Sequence, residues 1–199
     1  IGLKAIVVID NVAAGPAIGG TRMATDVSLE ECFRLARAMT LKSAAASLPH
    51  GGAKSVIFGD PSMDAKDKEE IIRAFAVAIR ELEDYIPGPD MGTNEVPMAW
   101  VNDDTGRSVG LPREIGGIPL DEIGATGWGL TVAAEVAQEF ARFDIKGARI
   151  VVQGFGAVGQ HAARFLCERG AVLVGASDSR GAIVDANGID VEALAAHKA

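Results

Sequence analysis

The chain has 199 residues, of which 48% are hydrophobic and 23% charged, with a formal net charge of −8. This is the composition of a folded globular protein, and the length allows one large domain or two small ones. The apolar runs are strand-sized, well short of the roughly 20 residues that span a bilayer, and no Lys/Arg run offers a stripe for nucleic-acid phosphates.

In chain order, residues 4–10 are rich in Ile and Val and predict a buried strand. Residues 11–15 turn, and residues 17–23 form a second extended segment. Ser28-Leu29-Glu30-Glu31 is a capping-box pattern, with Ser at the N-cap and Glu at the third helical position. The helix it opens carries Phe33, Leu35, Ala36, Met39 and Leu41 and stops before Pro49. Residues 55–58 predict a short strand after the pair Gly51-Gly52. Residues 64–85 read as a long amphipathic helix, with Ile71, Ile72, Phe75, Ile79 and Leu82 on one face and a solvated charged face opposite. Ile86-Pro87-Gly88-Pro89-Asp90-Met91-Gly92 excludes a helix and reads as a constrained loop. A short helix near 94–101 and a Gly- and Pro-punctuated loop over 102–118 follow.

Residues 126–143 read as helix, 148–153 as strand, 157–169 as helix and 171–177 as strand, with a small hairpin around 182–185. This β–α–β order with short joints predicts a parallel sheet. The fold class is α/β: an α/β domain over residues 1–124, then the start of a Rossmann-like domain over 125–199. Cys32 and Cys167 lie inside apolar helical patterns and read as buried thiols of a reducing, cytoplasmic compartment. His50, His161 and His197 lack metal-ligand spacing, so no metal site is expected. No basic region followed by an apolar one opens the chain, so no secretory signal is expected.

Glycine, at 24 of 199 residues, is well above its usual ~7% share, and the excess is clustered. One cluster is Gly154-Phe155-Gly156-Ala157-Val158-Gly159, between a predicted strand and a predicted helix. Its glycines suit a tight turn, a close approach of pyrophosphate and close helix–sheet packing, with the helix N-terminus facing the anion. Asp178, at the end of the next strand, would accept from a ribose 2′-hydroxyl and repel a 2′-phosphate, which favours NAD. Arg180 would suit a 2′-phosphate, so NADP stays open. Three glycines that serve only a tight turn are the competing explanation.

Two lysines occupy unusual surroundings. Lys42 ends a mostly apolar helix, and Lys54 follows Gly51-Gly52-Ala53 just before an apolar strand. Each alone is compatible with a snorkelling surface lysine, and Asp90 alone with a turn-forming residue. Together they make an anion-binding and acid–base set: fixed cations for a carboxylate, and a group that exchanges protons with nitrogen.

With these residues the chain resembles the glutamate/leucine/phenylalanine/valine dehydrogenase family. The matching stretches are Gly15-Pro16-Ala17-Ile18-Gly19-Gly20-Thr21-Arg22-Met23, Met39-Thr40-Leu41-Lys42, Gly51-Gly52-Ala53-Lys54, Pro89-Asp90-Met91-Gly92-Thr93, Ala125-Thr126-Gly127-Trp128-Gly129 and the 154–159 fingerprint. They occur in family order and cover almost the whole chain. The resemblance implies oxidative deamination of an L-amino acid to a 2-oxo acid and ammonia with NAD(P), in a homo-oligomer assembled largely through the first domain. It implies that Lys42 holds the substrate α-carboxylate, and that Gly19 and Gly20 let the backbone approach the substrate. Lys54 would be the catalytic lysine, with burial and a neighbouring Lys42 favouring its neutral amine, and Asp90 would shuttle protons to the amino group. Thr126 would lie at the nicotinamide end.

Glutamate-specific members carry a lysine where Ile18 stands. An apolar residue there cannot neutralise a side-chain carboxylate, so apolar and branched-chain substrates are expected, with glutamate as the alternative. Family members usually carry glycine at the positions of Ala53 and Ser47, and strain is expected wherever either needs positive φ or close backbone approach. A full dinucleotide domain has about six strands, more than residues 148–199 supply. The chain is therefore expected to be part of a longer enzyme, incomplete at both ends. A non-catalytic nucleotide- or amino-acid-binding protein is the reading from a different class.

Overall fold

The computed structural model describes residues 2–198. The chain divides into two compact units, Ile1–Pro119 and Leu120–Ala199, a break slightly before Gly124. Among the described residues no helix is long and apolar enough to cross a membrane.

In the first unit, β1 (Ala5–Asn11), β2 (Ala17–Ala24), β3 (Gly51–Phe58) and β4 (Tyr85–Pro89) form one sheet in the order β1-β3-β2-β4. β2 is parallel to β3 and β4, and β1 is antiparallel to β3. Helix α1 (Leu29–Ala45) covers one face and α2 (Ala65–Ala78) and α3 (Glu95–Thr105) the other. Ala53 and Ile57 of β3 join Met23, Tyr85, Ile72, Phe75, Met98 and Val101 in the main core, whereas Val56 packs with Val27 and Cys32 on the α1 side. Covered on both faces, β3 is buried from Gly51 through Ile57, the mark of a central strand.

Four expectations are corrected here. β3 begins at Gly51, not at Ser55, so Lys54 is a strand residue. Its glycines serve close packing: a Cβ on Gly51 would lie 1.7 Å from the Asn11 carbonyl oxygen, and one on Gly52 2.0 Å from the Thr40 nitrogen. The Pro-rich stretch expected as loop makes β4, at the sheet edge, where missing N–H groups are tolerated. Helix α2 stops at Ala78, and successive turns with Leu82 N–H on Ile79 O and Tyr85 N–H on Leu82 O lead into β4. Leu82 is accordingly 39% exposed rather than on the buried face. The 102–118 loop also loses its start to α3 and contains a 3₁₀ turn at Arg113–Ile115.

Helix α1 starts as its cap predicts, with the Ser28 hydroxyl accepting from the Glu31 N–H at 3.1 Å. Ser47, just beyond it, has φ +53°, a left-handed conformation. Ala53 is ordinary extended backbone with its side chain in the core, so the strain expected at these positions falls on Ser47 alone.

The second unit holds α4 (Ala125–Ala141), β5 (Arg149–Gln153), α5 (Ala157–Glu168), β6 (Val172–Ser177), β7 (Ala182–Val184) and α6 (Val191–Lys198). β5 and β6 are parallel, and β7 returns antiparallel as the expected small hairpin. Phe155, Ala163, Leu173 and Ala176 form the core, with Leu194 and Ala195 of α6 packed on it. Helix α6 was not anticipated from the sequence. α4 and α5 cross closely at Gly127, where a Cβ would lie 2.7 Å from the Ala162 nitrogen, and Trp128 meets Phe165 edge-on at 5.2 Å. Both cysteines are free, Cys32 buried and Cys167 half-buried.

Candidate active site

Strand alternation decides which side chains meet in the first unit. Ala53, Ser55 and Ile57 face the α2/α3 core, so Lys54 shares the α1 face with Gly52 and Val56. On β2 the buried residues are Ala17, Gly19, Thr21 and Met23, leaving Ile18, Gly20 and Arg22 half-buried on the other side. Lys54 is only 6% exposed, and its ammonium is ion-paired with the Asp90 carboxylate from the end of β4.

Gly20 permits that pairing. A Cβ there would lie 2.9 Å from Asp90 Cβ and 3.1 Å from its Oδ2, so any larger residue would push the carboxylate away. Gly19 is closed in from the other side, where a Cβ would fall 1.9 Å from the Ala53 carbonyl oxygen. The Asp90 loop is anchored across β2: Asp90 N–H donates to Thr93 Oγ1 at 2.9 Å, and that hydroxyl donates to Thr21 O at 2.8 Å. Gly92, at φ +79°, lets this loop pass over Met23 O.

Two cations face Asp90. Besides Lys54, Arg22 reaches its Oδ1 at 3.5 Å and also pairs with Glu31 of α1. Burial pushes the Asp90 carboxyl up, but the Lys54 hydrogen bond and charge, the Met91 N–H and Arg22 outweigh it and hold the group below the usual carboxylate range. Beneath the site, the buried Tyr85 hydroxyl lies 2.8 Å from Ser55 Oγ and donates to Gly19 O at 3.3 Å. Burial, only partly offset by hydrogen bonds from Ser55 and Thr21, pushes the phenol up to about 12. Lys42 lies in the last turn of α1 and is exposed. The charge that meets Lys54 is thus Asp90, an anion, where a neighbouring Lys42 cation was expected.

In the second unit, the Gly154 and Phe155 N–H groups both donate to Ser177 O, at 2.9 and 2.8 Å, which ties the glycine loop to the end of β6. Gly154 has φ +91°, and a Cβ on Gly159 would lie 2.1 Å from Gly154 O. Gly156, the N-cap of α5, is different: a Cβ there would meet no atom within 4 Å. Ala157 and Val158 are exposed in the first turn of α5. Asp178 accepts from the Arg180 N–H at 2.7 Å and pairs with Lys198 at 2.9 Å. The Lys198 hydrogen bond, with the Arg180 N–H, brings its carboxyl down to about 2. Asp178, Phe155, Arg180, Leu194, His197 and Lys198 border a cavity of about 410 Å³. Thr126 is exposed in the first turn of α4.

The structure thus groups Gly19, Gly20, Lys54 and Asp90 in one cluster, with Ile18 on the same sheet face, and gathers residues 154–159 with Asp178 in another. Sequence reasoning missed Arg22, Glu31, Tyr85 and Lys198. Arg22 had a usable signal, since it follows Gly20 at the two-residue spacing that shares a strand face. Glu31 was read only as a cap residue.

Two family models match this chain. "Glu/Leu/Phe/Val dehydrogenase, dimerisation domain" covers residues 2–107, and "Glutamate/Leucine/Phenylalanine/Valine dehydrogenase" covers residues 116–199. The chain belongs to the Glu/Leu/Phe/Val dehydrogenase family. An NAD-specific glutamate dehydrogenase of Staphylococcus aureus is 38% identical, over 92% of this chain and 47% of its own length. The chain therefore spans about half the length of the curated relatives it matches. Among solved structures of this dehydrogenase family, a hetero-hexameric glutamate dehydrogenase from Thermus thermophilus in a Leu-bound form superposes with TM-score 0.87 at 32% identity, covering 98% of this chain and 50% of that one. Glutamate dehydrogenase from Peptoniphilus asaccharolyticus gives 0.79 at 29% identity, covering 98% of this chain and 54% of that one.

Proposed function

We propose that this chain carries the acid–base site and the coenzyme loop of an NAD-linked amino-acid dehydrogenase, which deaminates an L-amino acid to a 2-oxo acid and ammonia. The observation that carries the proposal is the Lys54–Asp90 pair, seated beside Gly19 and Gly20 on a half-open sheet face. Asp90, held ionised, takes a proton from the substrate ammonium. Lys54 polarises the developing carbonyl oxygen and exchanges a proton with the attacking water. Their direct contact lets one proton be handed between them. Lys42, exposed in the last turn of α1, is assigned to the substrate α-carboxylate and Thr126 to the nicotinamide end, both on family resemblance.

The second unit fits a dinucleotide. The space above Gly156, at the start of α5, leaves room for a pyrophosphate against the helix N–H groups. Asp178 offers its carboxylate to a ribose hydroxyl, in competition with Lys198. When bound here, NAD supplies a hydride acceptor. The dimerisation domain named for the first unit's family model supports a homo-oligomer.

For the substrate, Ile18 favours an apolar side chain, because a carboxylate placed against it would be desolvated without a partner. Glutamate is the second reading, favoured by the names of the relatives. Comparing kcat/KM for leucine and glutamate with NAD separates them. A preference for leucine supports the Ile18 argument, and a clear preference for glutamate overturns it while keeping the reaction class.

A further inference from the structure

Asp90 stands on the turn after β4, with its side chain 15% exposed and packed over Gly20. Its two oxygens have separate partners. Oδ2 faces Lys54, while Oδ1 accepts from the Met91 N–H at 2.7 Å and from Arg22 at 3.5 Å. Arg22 is itself held from the other side, where its second terminal nitrogen pairs with Glu31 in the first turn of α1. Among the described residues its buried Nε has no hydrogen-bond partner, and the carboxylates of Asp90 and Glu31 are what orient the guanidinium.

We propose that Arg22, braced by Glu31, is a positioning residue that clamps Asp90 so that a fixed carboxylate edge meets Lys54 and the substrate nitrogen. The proposal deepens the reading of Lys54 and Asp90 as the acid–base pair, and rests on it. Glu31 supplies the independent support. At the third position of a capping box its carboxylate would turn back to the Ser28 N–H. The Ser28 hydroxyl makes its half of the box with the Glu31 N–H, but the Glu31 carboxylate goes to Arg22 instead. A side chain suited to a local cap is thus committed to Arg22 of β2 instead. A guanidinium suits that task because its planar fork binds two carboxylates at once, which an ammonium on a flexible stem does less well.

The charged and titratable groups around Asp90 are Lys54 from β3, Arg22 from β2, Glu31 from α1 through Arg22, and Tyr85 from its own strand; Cys32 of α1 lies behind Lys54, its thiol donating to Lys54 O at 3.3 Å. Arg22 draws Asp90 toward its charged form, and Glu31 holds Arg22 in place. Removing Glu31 should therefore release Arg22 and move Asp90 in the same direction as removing Arg22, by less.

The test is a carbon-13 NMR titration of the Asp90 carboxyl, with kcat and KM measured in parallel. In Arg22→Gln the Asp90 midpoint should rise by about one pH unit, kcat should fall at least ~10-fold and KM should change little. In Glu31→Gln the midpoint should rise too, by less, as Arg22 is released. Arg22→Lys should restore most of the midpoint but not kcat. An unmoved midpoint in Arg22→Gln, or a fall in Glu31→Gln, would overturn the clamp. The titration needs no turnover. Rises in both variants of a protein without dehydrogenase activity would uphold the clamp and defeat the functional reading. Activity without the shifts would do the reverse.

Discussion

In the second unit the glycine loop occupies six consecutive residues between β5 and α5, whereas in the first unit Lys54 and Asp90 come from strands 36 residues apart and meet over a third strand. Glycine serves each arrangement differently. Around Gly156 the space stays open, whereas at Gly19, Gly51 and Gly52 it is filled by neighbouring backbone. Within the loop itself Gly159 is closed in by the Gly154 carbonyl, so the open space lies at Gly156, where the proposed pyrophosphate would sit.

Paired substitutions should break this comparison most sharply. Gly19→Ala drives a methyl against the Ala53 carbonyl at 1.9 Å, so the first unit should lose its cooperative unfolding transition. Gly156→Ala meets nothing within 4 Å and should keep stability within ~0.5 kcal/mol while weakening NAD binding. Thermal unfolding and calorimetry with NAD read both. A stable Gly19→Ala would show that the strand packing is looser than described.

The next effect concerns the floor of the first-unit site. Tyr85 is the single tyrosine of the chain, so phenolate absorbance reports on it alone. Its midpoint should lie near about 12 in the folded protein and near the ordinary value of 10 in denaturant. Because the folded value is raised, its contribution to stability is fully present below pH ~10 and is lost as the pH rises to about 12, a change of about 3 kcal/mol. A folded-state midpoint near 10 would mean that the hydroxyl is not sealed beneath Gly19.

The smallest effect concerns the turn after α1. Ser47→Gly relieves a left-handed residue and should stabilise the first unit by about 1 kcal/mol, read by denaturant unfolding. No gain would mean that the turn carries no strain.

The contrast between the units also explains what the sequence disclosed. The strand–loop–helix–strand of the second unit was legible because its signals are local: β-branched runs, a glycine loop and an acidic residue at the next strand's end. Ser28 was legible as a cap for the same reason. β4 was not, because prolines signal a break and only its place at a sheet edge makes them acceptable. The start of β3 was hidden by Gly51 and Gly52, whose reason is contact with Asn11 and Thr40. Lys54 and Asp90 were singled out, but the sequence could not show that Arg22 and Glu31 close the cluster around them. That contact depends on how α1 lies across the sheet. Helix α6 escaped because its apolar positions form no clear stripe and are chosen by the core they pack on.

With Lys54 proposed as the catalytic lysine, the most direct test is turnover of Lys54→Ala beside its affinity for NAD. Turnover should fall by about 10³-fold or more, with calorimetric NAD affinity unchanged, because the coenzyme loop lies in the other unit. Near-normal turnover in that variant would contradict the assignment of the Lys54–Asp90 pair as the acid–base centre.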